Sequence, residues 1–144
     1  MLLKTKDFDF SNGIVVGKIM TKVGLLYVKE ISSEDQIAYG AFDKDKVLCV
    51  LGFLKTSDFL IAKNAVTDPT FVGKGIASEL FYFVNKTLNN KILSDTQLTP
   101  SGELLWNSLV KSSKFDSKIY YLPTKETFEI SDIGNKKTSD GETI

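Results

Sequence analysis

At Gly75 the chain changes its hydrophobic rhythm, and that change limits the folds open to it. Before Gly75 lie five short runs, GIVVGKIM (13–20), LLYVKEI (25–31), QIAYGAF (36–42), KVLCVLGFL (46–54) and FLIAKNAV (59–66). They are rich in β-branched and aromatic residues and mostly bounded by Gly, Asp, Asn or Ser, which predicts strands. After it, apolar residues fall at 76, 77, 80, 81, 83, 84 and 88, with Ser78, Glu79, Asn85 and Lys86 on the other side. That is helical spacing. The strand links are short: Asp43-Lys44-Asp45 reads as one hairpin turn and 55–58 as another. Successive short links favour an antiparallel meander.

Further on, KIL (91–93) predicts a short strand and LTPSGELLWNSLVKS (98–112) a second helix. In that helix Thr99 is a good N-cap, Pro100 fits the first helical position, and Glu103 sits near the positive end of the dipole. KIYYL (118–122) and TFEI (127–130) add two late strands. The expected class is α+β: a mixed, mainly antiparallel twisted sheet with helices packed on it. The expected organisation is one domain over residues 1–130 and a polar, glycine-containing tail over 131–144. An exposed late strand offers an edge for pairing in a homodimer.

Composition excludes some chemistry. There is no histidine, and hence no histidine base, histidine-containing triad or histidine metal ligand; no metal site is predicted. All 18 basic residues are lysines and 18 acidic residues cancel them. Bidentate reading of guanine or phosphate is normally arginine work, so nothing promotes nucleic-acid binding. No apolar run reaches the roughly 18 residues of a membrane span, nor is there an N-terminal apolar block of signal-peptide length. The expected location is the cytoplasm. The single cysteine, Cys49, lies in an apolar strand and reads as a buried, inert thiol.

The change of rhythm occurs across Phe71-Val72-Gly73-Lys74-Gly75-Ile76-Ala77. Glycines admit positive φ and close approach of a ligand to the backbone. The first helical turn offers unpaired N–H groups and a positive dipole end. Together they suit a phosphate or pyrophosphate. Lys74 adds a charge to the site or is simply solvated. The P-loop and the dinucleotide fingerprint both fail on spacing, since Gly73-Lys74-Gly75 is followed by Ile76, Ala77 and Ser78. A plain strand-to-helix turn is the competing reading.

The longer stretch VTDPTFVGKGIASELF (66–81) resembles the coenzyme A motif of the GNAT superfamily of acyl-CoA N-acyltransferases. That motif is an apolar strand, then x-Pro-x-aromatic-(Arg/Gln)-Gly-x-Gly-x-(Gly/Ala), then an amphipathic helix. Pro69, Phe71, Gly73, Gly75 and Ala77 match it, and the flanking order of elements extends the likeness over 36–122. The section LSDTQLTPSGELLWNSL (93–109) resembles GNAT-type proteins of tailed bacteriophages. The likeness implies acetyl-CoA as acyl donor and an amine acceptor, either a small molecule or a protein lysine. It implies that Val72, Gly73, Lys74, Gly75, Ile76 and Ala77 face the pyrophosphate, with Val66 and Thr67 beside the pantetheine and thioester. The acyl channel would open between the FLIAKNAV and KIL strands.

The chain departs from the family in three places. Val72 stands where Arg or Gln is usual. The strand before the loop, 59–66, carries no carboxylate where many members place a general base. Trp106 stands at the counterpart of the tyrosine acid, and an indole N–H is not a usable proton source. The candidate replacements are Ser94 and Asp95, with Asp95 as base or amine binder; shaping of the loop by Ser94-Asp95-Thr96 is the favoured reading of those residues. Tyr120 and Tyr121 alternate on a late strand, and packing is the better account of each. Phe81, Phe83, Leu88, Leu104, Leu105, Trp106 and Leu109 read as core, and Glu79 as a solvated face. The missing base and acid also admit a GNAT-like binding or structural module, a virion component or a modulator of a host protein.

Overall fold

The structure is a computed structural model and describes residues 4–93, 109, 118–121 and 126–129. The chain divides into two units, residues 1–92 and 93–144. In the first, the five predicted strands form as β1 (Ile14–Thr21), β2 (Gly24–Ser32), β3 (Gln36–Asp43), β4 (Lys46–Lys55) and β5 (Leu60–Thr67). Each pairs antiparallel with the next. After α1 (Ile76–Tyr82), β6 (Ile92–Leu93) takes the place beside β5. Its approach is fixed at the start of β5, where the Leu60 N–H donates to the Lys91 carbonyl at 2.8 Å. The result is a curled, mixed, mostly antiparallel six-stranded sheet with one helix, of α+β type.

Strand alternation sends successive side chains to opposite faces. On the α1 face, Phe53 meets Tyr39 edge-on at 6.1 Å and Phe81 at 6.0 Å. The opposite face carries a second cluster of Phe10, Ala38, Phe42 and Val50, with Phe8, Ile31 and Val47 packed against it. Phe8 lies directly after a 3-10 turn at Thr5–Asp7, so the N-terminal segment closes that face. Three bulges break the alternation, at Val15/Gly17, Ala41/Phe42 and Gly52/Phe53.

The helical pattern after Gly75 forms as expected at its start. Ile76, Leu80 and Phe81 are buried on α1, and each such side chain contributes about 1.5–3 kcal/mol. The next turn widens into a π turn at Phe83–Thr87, closed by the Leu88 N–H donating to the Phe83 carbonyl at 3.1 Å. Asn89, with φ of 57°, ends the helix in the left-handed conformation that Asn tolerates. The Asn85 amide then donates to the Asn90 carbonyl at 2.7 Å. Of the other residues read as core, Phe83 and Leu109 are buried and Leu88 is half-buried.

In the second unit β7 (Lys118–Tyr121) and β8 (Glu126–Glu129) pair antiparallel as a separate two-stranded sheet, from Lys118 opposite Glu129 to Tyr121 opposite Glu126. Leu109 is helical, as read from the pattern. The rest of the predicted second helix, the residues Leu104, Leu105 and Trp106, and the predicted tail lie outside the described residues. Among the described residues no helix is long and apolar enough to cross a membrane.

Candidate functional site

The loop from β5 to α1 is built by short-range rules. Asp68 caps a 3-10 turn at Pro69–Phe71 by accepting from the Thr70 N–H at 2.9 Å. The Asp68 N–H is tied to β4 through the Leu48 carbonyl at 2.8 Å. Val72 is extended, with its side chain 66% exposed. Gly73 and Gly75 then take φ of 83° and 76°. Both values lie in the left-handed region, which costs a residue with a Cβ about 1–2 kcal/mol. Nothing lies within 4 Å of where a Cβ would project at either glycine. The two glycines therefore serve the backbone path and leave open space on each side of Lys74.

Gly75 is also the N-cap of α1, and having no side chain it makes no capping hydrogen bond. The first-turn N–H groups are thus unclaimed by a side-chain cap, and donors of this kind suit an anionic group of pyrophosphate type. Lys74 is exposed beside them. Ile76 takes part only through its backbone, because its side chain is 1% exposed in the core. Ala77 is half-buried. Glu79, read from the sequence as solvated, is half-buried instead and engaged in an interaction of its own, because the first turn of α1 lies against the sheet.

One charged residue near the loop escaped the sequence reading. Lys46, the first residue of β4, has its Nζ 5.3 Å from the centre of the Phe71 ring and 4.0 Å from an Asp68 carboxylate oxygen. The pairing of β4 with β5 brings it there, a non-local effect that spacing along the chain does not reveal. A second ammonium thus stands by the loop. Its pairing with Asp68 is long and partly solvent-exposed, and is worth at most about 1 kcal/mol.

Upstream, Val66 lies opposite Val50 and Thr67 opposite Cys49. Both are half-buried. The Thr67 hydroxyl donates to Cys49 Sγ at 3.5 Å. Burial pushes the Cys49 thiol up to about 11, so at neutral pH it is protonated and is not a nucleophile. The described part of β5 presents Lys63, Asn64 and Thr67 as its polar side chains and no carboxylate. Ser94 and Asp95 lie outside the described residues. The far wall of the expected channel is β6, which lies beside β5 and is tied to its start by the Leu60 N–H donating to the Lys91 carbonyl.

Comparison with protein-family models, with curated proteins and with solved structures finds no match in any of the three.

Proposed function

We propose that this protein is an acyl-CoA-dependent N-acyltransferase that moves an acetyl group from acetyl-CoA to an amine. The observation that carries the reading is the loop Val72–Ala77: two left-handed glycines with open space around them, a lysine between, and an uncapped first helical turn. The resemblance of residues 66–81 to the GNAT coenzyme A motif supplies the ligand proposed for this loop. Backbone N–H groups of the loop hold the pyrophosphate, with Lys74 and Lys46 contributing positive potential. Val66 and Thr67 run beside the pantetheine and thioester.

In the reaction the amine nitrogen attacks the thioester carbonyl carbon. The C–N bond forms, the C–S bond breaks, and the nitrogen gives up a proton as the thiol takes one. A backbone N–H near Thr67 polarises the carbonyl, and holding donor and acceptor together supplies much of the acceleration. Asp95 and Ser94 are the proposed groups for handling the amine and its proton. By its likeness to phage GNAT-type proteins, such an enzyme would work in an infected host's cytoplasm.

The absence of a carboxylate on β5 favours a second reading, in which a GNAT-like module binds partners without turnover, as a virion component or a modulator of a host protein. Incubation with acetyl-CoA and a panel of small amines and lysine peptides, followed by free-thiol release, separates the two. Amine-dependent release supports the enzyme. Release at the buffer rate across the panel leaves only the module.

A further inference from the structure

On the sheet face opposite α1, away from the glycine loop, lies a cavity of about 260 Å3. Its floor is Gly52, a buried position on β4. A Cβ there would stand 3.3 Å from the Asn64 side-chain nitrogen and 3.8 Å from the Phe8 ring, so the missing side chain is what leaves the space. Phe8, Ile31 and Leu54 supply apolar wall. The β5 bulge shapes the rim: Gly52 opposes Asn64 and Phe53 opposes Ala62, leaving Lys63 as the extra residue. Bulges re-aim side chains and concentrate beside functional sites.

The lining defines the ligand. The volume is below the range of roughly 300–1,000 Å3 that holds drug-sized molecules, so one ring system fits and an extended cofactor does not. The walls are mixed, with Ser32, Ser33 and Gln36 beside the apolar residues, and the Phe8 ring among them suits a flat ring. The Asn64 side chain is half-buried and makes no hydrogen bond to the other described residues. Its amide offers one acceptor beside one donor edge. That edge pairs with a ring carrying a donor next to an acceptor, as adenine does with its amino group and N7.

We infer that this cavity is a binding site for a small flat nitrogen heterocycle with adjacent donor and acceptor, of the adenine type, read by Asn64 over the Gly52 floor. The site is independent of the glycine loop and holds or fails without it.

The test is a 15N-edited NMR titration of the whole chain with adenosine, which carries no phosphate. Purine riboside, with the same ring system and no amino group, is the control. Adenosine should give saturable shifts at the Gly52 amide and the Asn64 side-chain NH2. Purine riboside, and adenosine with Asn64→Leu, should bind about tenfold more weakly, the loss of one or two hydrogen bonds. Gly52→Val should abolish the response by filling the floor, and Asn64→Leu keeps the test intact if that variant does not fold. No saturable shift up to the solubility limit of adenosine overturns the inference. So does equal binding of adenosine and purine riboside, or an unchanged response in Asn64→Leu.

Discussion

Gly17→Ala tests how α1, and with it the glycine loop at its N-terminus, is seated on the sheet. A Cβ at residue 17 would stand 2.5 and 2.7 Å from two atoms of the Phe83 ring. Phe83 is 5% exposed and sits at the head of the π turn, so its ring has little room to yield. Gly17 lies opposite Val28, which is fully buried, so β1 cannot move aside cheaply either. Overpacking of this kind costs about 1–3 kcal/mol. No left-handed φ contributes, since the φ of Gly17 is not positive. For a chain of this length each kcal/mol lowers Tm by roughly 3–5 °C. The assay is urea unfolding of wild type, Gly17→Ala, Phe83→Leu and the double variant. Phe83→Leu loses ring contacts but makes room, so the double variant should be more stable than the sum of the singles by about 1 kcal/mol or more. A neutral Gly17→Ala, or strict additivity in the cycle, would refute the proposed seating of α1 on Gly17.

Other outcomes follow from groups off the loop. Cys49 should resist alkylation in the native protein and react fully in urea, because its thiol is buried and held protonated to about 11. The folded state therefore keeps a proton that the unfolded chain releases near 9.0, so stability should fall by about 2–3 kcal/mol as pH rises through that window. Cys49→Ala should lower stability at pH 8 and show a flatter decline by pH 11 in urea melts. Tyr39 behaves in the same sense: burial first, and then the Glu30 carboxylate that its hydroxyl hydrogen-bonds, hold its proton well above the ordinary 10.0. Its stabilisation is complete below pH 10 and is lost above it, and Tyr39→Phe should flatten that alkaline limb. At the loop, Gly75→Asn should cost less stability than Gly75→Ala, since Asn tolerates the left-handed φ and neither side chain meets a neighbour within 4 Å of its Cβ.

Local chemistry was legible and non-local geometry was not. Strand runs and the onset of the helix at Ile76 could be read because alternation and 3.6-residue spacing are properties of one segment. The positive φ of Gly73 and Gly75 was foreseen as what glycine permits. The bulges at Val15/Gly17, Ala41/Phe42 and Gly52/Phe53 were missed, since a bulge is defined by the partner strand. The π turn was missed because the apolar residues 83, 84 and 88 suit both i+4 and i+5 closure. Lys46 reached the loop, and Asn64 the Gly52 cavity, through the pairing of β4 with β5. The candidate catalytic pair Ser94 and Asp95 rested on position after a strand, a signal that carries no geometry.

The most direct test of the proposed coenzyme A loop is calorimetric titration of acetyl-CoA into wild type, Gly75→Asn and Gly75→Glu. Asn controls for the backbone strain at φ of 76°, while Glu adds an anion in the open space where the pyrophosphate should lie. The account predicts micromolar binding in wild type, retention in Gly75→Asn, and loss in a folded Gly75→Glu. No heat in wild type at millimolar acetyl-CoA, or equal binding in a folded Gly75→Glu, would contradict it.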